Sequence, residues 1–406
     1  MSRSLHVRSR LVVAFAGAML VLGFDASAGR AQRLPDHLAD STFWRYMNEA
    51  SEPWGTFRSE NFVSNETSLQ WPIPSMAASI KPGGVYLGVA PDQNFTYIVA
   101  LRPAIAFIVD IRHQNAMQHL LYKALIEMSS TRAEFLAKLF SRPPIDASSA
   151  PTDLAPLVWA ITRAPADSGR YRATLEAVRD RLMRVHRFSL SDSEQVSLAC
   201  VYGAFFAAGP ELTYNQVSPC ANPGFFGGFG GFGGFGGLGG LGGGPPGMPT
   251  WLVMVAGTDG SAHNHGYLAS EANFQALKAM EERNLIVPLT ANFAGNKTLK
   301  WVGQWTRDRG AIISTFYLSN VEQYLYQGVG DGERFMANVA TFPIDETSTF
   351  IRSWSFGGRF GGGGATAFVP QSGRSIQLVS SIKETLAACA ALPCRSYLDV
   401  LRLSLQ

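Results

Sequence analysis

Residues 84–115, GVYLGVAPDQNFTYIVALRPAIAFIVDIRHQN, decide the fold. GVYLGVA and AIAFIVD are short apolar runs rich in β-branched and aromatic residues, and DQNFTYIVALRP between them has helix length. Near-continuous apolar strands on either side of a helix predict a parallel sheet buried on both faces. Asp110 closes the second strand, 22 residues beyond Gly88 in the first turn. In doubly wound sheets an acid about 20 residues past the first Gly-rich turn accepts hydrogen bonds from a ribose. The stretch therefore points to a nucleotide-type crevice and leaves open which reaction, if any, takes place there.

The rest of the chain continues the rhythm. Helices are expected at Asp36–Glu49, Asn115–Met128, Thr131–Phe140, Arg170–Val185 and Leu190–Cys200, with Thr131/Glu134 and Ser191/Glu194 as capping-box pairs. Pro143-Pro144 ends one helix, and residues 141–166 read as loop. Residues 223–249 are PGFFGGFGGFGGFGGLGGLGGGPPGMP, a run so rich in glycine that a flexible loop is expected. Phe356–Gly364 repeats that composition on a smaller scale. Between them Leu268–Arg283 and Lys297–Arg309 read as helices and Leu285–Thr290 and Ala311–Tyr317 as strands. A helix over Ser319–Tyr326 is expected to open on a Ser319/Glu322 capping box. Residues 334–354 and 365–370 read as strands, and Arg374–Ala388 and Arg395–Leu403 as helices. The repeated βαβα order favours one sheet built from both halves. The expected class is α/β, a doubly wound, mostly parallel, Rossmann-like sheet. Its boundaries are a signal peptide at 1–28, an N-terminal cap at 29–80, the α/β domain at 81–355 and an extension at 356–406. A helical insertion at 141–260 carries the Gly-rich loop.

The N-terminus has the layout of an export signal. Arg3, Arg8 and Arg10 precede the apolar run Leu11–Phe24, and Ala26-Ser27-Ala28 offers a small-residue cleavage site. That run is shorter than the roughly 20 residues a membrane-spanning helix needs. A bacterial periplasmic or secreted protein is the resulting expectation, with no transmembrane segment beyond the signal. Cleavage removes three arginines and Asp25 from 34 basic and 31 acidic residues, leaving a net charge of +1. That balance argues against a nucleic-acid binder, which carries a clear basic excess. The four cysteines form two local pairs, Cys200/Cys220 and Cys389/Cys394. Disulfides between neighbours suit an oxidising compartment; free buried thiols are the alternative. Asn65-Glu66-Thr67 matches a glycosylation sequon, relevant only in a host with that machinery.

GVYLGVAPDQNFTYI…AFIVDIRHQN and NLIVPLTANFAGNKTL…FYLSNVEQYL together resemble an uncharacterised bacterial family over most of residues 40–355, the Gly-rich tract excluded. The core of that family is similar to class I S-adenosylmethionine-dependent methyltransferases. The resemblance implies that Gly88 and Ala90 form the first turn and that Asp92, Gln93 and Asn94 open the following helix. It also implies that Asp110 faces a ribose, with Arg112 beside it, and that Ser319 and Asn320 lie past the fourth strand. S-adenosylmethionine is the cofactor it suggests, although GVAP has one glycine where the methyltransferase signature has two or three. Asn65 and Glu66, in the cap, would fold over the crevice.

Each candidate has a structural alternative. Asp110 either binds a polar ligand or pairs with Arg112. Asp92 either caps its helix or joins a ligand site, where its charge would disfavour phosphate. Asn292 and Asn320 follow strand ends and would line the same crevice, whereas His113 reads as a satisfied surface residue. His263 and His265 sit in a polar loop with no third metal ligand in evidence. No nucleophile elbow, HExxH or Walker A sequence is present. The function expected from these features is an exported binding or interaction protein for a small molecule. The Gly/Phe-rich loop would be available to a partner. A methyltransferase-like enzyme, or another enzyme using the crevice, is the alternative.

Overall fold

Strands buried on both faces are near-continuous apolar runs, and Ile105–Asp110 fits, five apolar residues ahead of an aspartate and every residue buried. In the computed structural model, which describes residues 33–57, 59–146, 148–214, 248–355 and 375–404, this strand lies inside a six-stranded sheet. The strands are β1 (Val85–Gly88), β2 (Ile105–Asp110), β3 (Ile286–Thr290), β4 (Ile313–Ser319), β5 (Thr349–Ser355) and β6 (Ser375–Ser381). Their spatial order is β3-β2-β1-β4-β5-β6. The first five run parallel, and β6 pairs antiparallel with β5. This agrees with an α/β class and a mostly parallel sheet, and with the strand order of doubly wound folds. The edge position of β3 explains how Pro288, which has no N–H to donate, is tolerated there.

Fifteen α-helices are named among the described residues, in chain order. Ahead of the sheet come α1 (Asp40–Ala50) and α2 (Ile73–Ser79). Between β1 and β2 lies α3 (Gln93–Leu101). The long connection from β2 to β3 holds α4 (His113–Glu127), α5 (Arg132–Leu139), α6 (Leu154–Thr162), α7 (Ser168–Arg179), α8 (Asp192–Ala208), α9 (Trp251–Val255) and α10 (Glu271–Glu282). Then follow α11 (Thr298–Asp308), α12 (Val321–Leu325), α13 (Asp331–Val339), α14 (Ile382–Ala391) and α15 (Tyr397–Leu403). Consecutive strand residues point to opposite faces, and β4 displays both coverings. Phe316 packs on Phe335 of α13, while its neighbour Tyr317 packs on Tyr97 of α3. Phe107 of β2 meets Trp305 of α11. One helical layer therefore contains α3, and the other α11 and α13.

Three sequence assignments change. Residues 334–354 are not one strand: α13 comes first, because Gly332, Phe335, Asn338 and Val339 recur at helical spacing and face inward. Residues 374–388 are not one helix. SIQLVSS forms β6, and Ser381 then caps α14 by accepting from the Glu384 N–H. The expected loop at 141–166 contains α6, whose Leu154, Leu157, Val158 and Ile161 make a buried stripe. Cys389 and Cys394 form a disulfide. The expected signal peptide, Cys220, the Gly-rich run to residue 247, Phe356–Gly364 and the expected strand 365–370 lie outside the described residues. No helix among those described is long and apolar enough to cross a membrane.

Candidate functional site

Parallel strands place all their carboxyl ends on one edge, and ligands of open α/β sheets lie there, where the winding direction reverses. In this sheet the reversal falls between β1 and β4. A crevice of about 290 Å³ opens at that point. It is lined by residues at the carboxyl ends of β1, β2, β3 and β4 and, from the N-terminal cap, by Phe57, Asn61, Ser64, Asn65 and Glu66 among others.

Non-glycine residues seldom adopt positive φ; of the eight that do among the described residues, Asn61 (49°), Ala90 (71°) and Ser319 (52°) line the crevice, and Arg102, Ser141, Arg187, Ala262 and Asn284 lie elsewhere. At the end of β4 the pairing register with β5 also shifts between Tyr317 and Ser319. Ser319 thereby directs its hydroxyl to Glu66.

Glu66 is buried, 3% exposed. Its Oε2 accepts from the Tyr317 hydroxyl at 2.7 Å and from Gln377 Nε2 at 2.8 Å, and its Oε1 accepts from Ser319. Burial raises its pKa above the ordinary carboxylate value, and the hydrogen bonds from Ser319, Tyr317 and Gln377 oppose that rise. Gln93 donates from Nε2 to the Tyr317 oxygen at 3.2 Å, which leaves its own Oε1 without a partner. A relay therefore runs from the Gln93 amide through Tyr317 to the Glu66 carboxylate.

Asp110 and Arg112 form a buried pair beside this relay. Asp110 Oδ1 accepts from the Arg112 backbone N–H at 2.9 Å and from its Nε at 3.1 Å, and Oδ2 accepts from Nη2 at 3.0 Å. The remaining Nη1 of Arg112 donates to the Glu60 carbonyl and ties the cap to the sheet. Three of the five guanidinium N–H donors are thus engaged inside the protein, and the Asp110 carboxylate balances the charge.

The crevice brings together Asn65, Glu66, Gln93, Asp110, Arg112, Asn292, Ser319 and Asn320. It does not include Gly88, Asp92 or Asn94. Asp92 does not cap α3; its Oδ2 accepts from Tyr267 at 2.8 Å and from Trp251 Nε1 at 3.1 Å, and burial raises its pKa to about 6. Asn94 braces the turn instead: Nδ2 donates to the carbonyls of Val89, Ala90 and Pro91 at 2.8, 3.0 and 2.8 Å, and Oδ1 accepts from Tyr86. A Cβ on Gly88 would lie 1.9 Å from that Oδ1, so Asn94 fills the space this glycine leaves. His119 supports the turn from below. Its Nε2 lies 3.0 Å from the Ala90 carbonyl, and burial lowers its pKa to about 4, so the neutral ring donates there.

Other candidates are occupied elsewhere. The Ser319/Glu322 capping box does not form; α12 starts at Val321, and Glu322 is a buried partner of Arg352. A carboxylate that deep is better served by a guanidinium than by a helix end. His113 is held by Thr290 Oγ1 at 3.0 Å and Glu194 Oε1 at 2.8 Å. His265 contacts Asp259 at 2.8 Å. Sequence reading missed Tyr317 and Gln377. Tyr317 lay within a strand judged by its apolarity, and Gln377 within a segment read as helix.

A family model described as "Domain of unknown function (DUF7790)" matches residues 61–196 and 248–377. The first block carries Glu66, Gln93, Asp110 and Arg112, and the second carries Asn292, Ser319, Asn320 and Gln377. The chain belongs to this family, in accord with the resemblance to an uncharacterised one. No curated protein matches the chain.

Proposed function

We propose that this family member is an exported small-molecule-binding protein on a Rossmann-like core, its ligand held in the crevice between β1 and β4. The observation that carries the reading is Glu66: a buried carboxylate lining an open cavity at the switch point, beside an amide oxygen with no partner. Buried polar groups are ordinarily satisfied, and perturbed carboxyls in clefts mark functional sites. Positive φ at Asn61, Ala90 and Ser319 adds support, because strain of this kind gathers at ligand clamps. The Cys389–Cys394 disulfide suits an oxidising compartment, as does the signal-like N-terminus.

S-adenosylmethionine fits this chain poorly. The Gly-rich turn of a dinucleotide-type site leaves room for a ligand to approach the backbone. Here Asn94 takes the space beside Gly88, and Asp92 is turned toward Trp251 and Tyr267. We derive no methyl-transfer step.

Thermal melting of the wild type and of Glu66→Gln against a metabolite library, S-adenosylmethionine included, tests the binding reading. A ligand at a hundredfold its Kd adds about 2.7 kcal/mol of stability. The reading expects at least one compound that raises the melting temperature of the wild type and not of the variant. A library without such a compound, or a shift by S-adenosylmethionine that the variant retains, counts against it. A periplasmic reporter fused to residues 1–40 tests export; activity confined to the cytoplasm would remove that part.

A further inference from the structure

A carboxylate withdrawn from water needs a counter-charge, because desolvation costs several kcal/mol per ion. Three buried acids of this protein follow that rule, and others answer burial by holding a proton. Asp110 has Arg112 at 3.0 Å, Glu127 has Lys123 at 2.7 Å, and Glu322 has Arg352. Glu281 is not charge-paired: burial raises its pKa to about 8 despite the nearby Lys123, so it holds its proton. Asp92 lacks a cation, but it is enclosed by Tyr267 and Trp251 and lines no cavity. Glu66 alone faces a cavity while every hydrogen-bond partner it has among the described residues is neutral: Tyr317, Ser319 and Gln377.

The surrounding groups point the same way. Arg112 is the one described cation in the crevice lining, and it is committed to Asp110 and the Glu60 carbonyl. Asp331 at the wall is already paired with Arg334 and adds no unbalanced charge. The partnerless polar atoms of the lining, Gln93 Oε1 and Asn61 Oδ1, are both acceptors. Gln93 cannot reverse its amide without loss, because Tyr317 gives its proton to Glu66 and so needs a donor from Gln93. The lining thus sets these acceptors beside the Glu66 carboxylate, while the side-chain amides of Asn65 and Asn292 on the same lining can donate as well as accept. Phe57 and Tyr324, edge to face at 5.1 Å, supply aromatic wall of the kind that attracts organic cations.

We propose that the crevice takes an organic cation, an ammonium or guanidinium group on a small body, with its positive nitrogen against Glu66. The inference rests on the binding reading above and narrows it to a ligand class. Anionic ligands, phosphates among them, meet no free positive group there.

Benzylamine, benzyl alcohol and benzoate are probes of one shape with charges of +1, 0 and −1. Ligand-observed NMR at millimolar concentration and pH 7.5 measures their binding to the full chain. Charge-assisted hydrogen bonds are worth more than neutral ones, so benzylamine is expected to bind at least about tenfold tighter than benzyl alcohol. Benzoate is expected not to register. Glu66→Gln should reduce the amine preference below about threefold, and Asn320→Trp, which fills the rim without touching the relay, should abolish binding. Equal or better binding of the alcohol or benzoate overturns the cation class, as does an amine preference unchanged in Glu66→Gln. If such binding is still lost in Asn320→Trp, the crevice reading stands without the cation. Failure of all three probes overturns the cation class, and the metabolite screen then decides the crevice separately.

Discussion

Replacing Gly88 by alanine separates two meanings of a glycine at the first turn. If the glycine exists to admit a ligand, the substitution should spare stability. The structure assigns it instead to Asn94, whose Oδ1 would lie 1.9 Å from the new Cβ, with Tyr86 Cε1 at 2.7 Å. Neither atom belongs to a mobile chain end, because Asn94 is fully buried and bonded to three carbonyls and to Tyr86. Displacing it leaves the Val89 and Pro91 carbonyls and the Tyr86 hydroxyl without these partners; the Ala90 carbonyl keeps His119. Each lost bond costs about 1 kcal/mol net, and more where the group stays buried and unsatisfied, so the expected loss is about 3 kcal/mol. That corresponds to a fall in melting temperature of roughly 4 °C for a chain of this length. Asn94→Ala should cost a similar amount. The decisive protein is the double variant, followed by circular dichroism on heating. Removing Asn94 removes the closest clash and frees Tyr86 from its hydrogen bond to shift from the other, so Gly88→Ala/Asn94→Ala should lose much less than the sum of the single variants, a coupling well above the roughly 0.5 kcal/mol of independent sites. Additive losses would refute the reasoning.

Two further substitutions probe the buried charges. Arg352→Met leaves Glu322 buried and unpaired and should cost about 3–5 kcal/mol, visible as a large fall in melting temperature. Introducing Glu322→Leu alongside should recover most of that loss, and an equal or deeper loss in the pair would contradict the assignment. Asp92 has a folded pKa raised from 3.8 to about 6, so the folded state holds its proton over a range where the unfolded chain has released it. Its contribution is therefore fully present below about pH 4 and is lost as pH rises to about 6, a change of up to ~3 kcal/mol. Urea melts at pH 4 and pH 7 should show Asp92→Asn gaining on the wild type at the higher pH; a difference that does not vary with pH would dismiss the effect.

The sheet's centre was legible because β1, β2, β3 and β4 are apolar on both faces, a pattern that no surface element shares. Its far edge was not. SIQLVSS is half-buried and serine-rich, so β6 merged with the helix after it, and α13 was absorbed into the strand that follows. The positions of Asp110, Asn292, Ser319 and Asn320 on one rim followed from the strand ends alone, since parallel strands deliver their carboxyl termini together. What each side chain does there did not follow. Asp110 could be read as ligand-facing or Arg-paired until the guanidinium geometry was seen. Asn94 and Asp92 opened a helix in sequence, yet one braces a turn and the other turns away beneath two aromatics. Glu66 depends on Tyr317 and Gln377, which stand 251 and 311 residues away along the chain. Contacts at such separation leave no local periodicity to read.

Native mass spectrometry of the protein isolated without denaturation from the cells that express it asks most directly whether the crevice holds a ligand at Glu66. The account predicts a wild-type species heavier than the polypeptide by one small molecule, and a Glu66→Gln protein from the same cells, folded by its circular dichroism, without that mass. Identical spectra for the two, with or without an adduct, would contradict it.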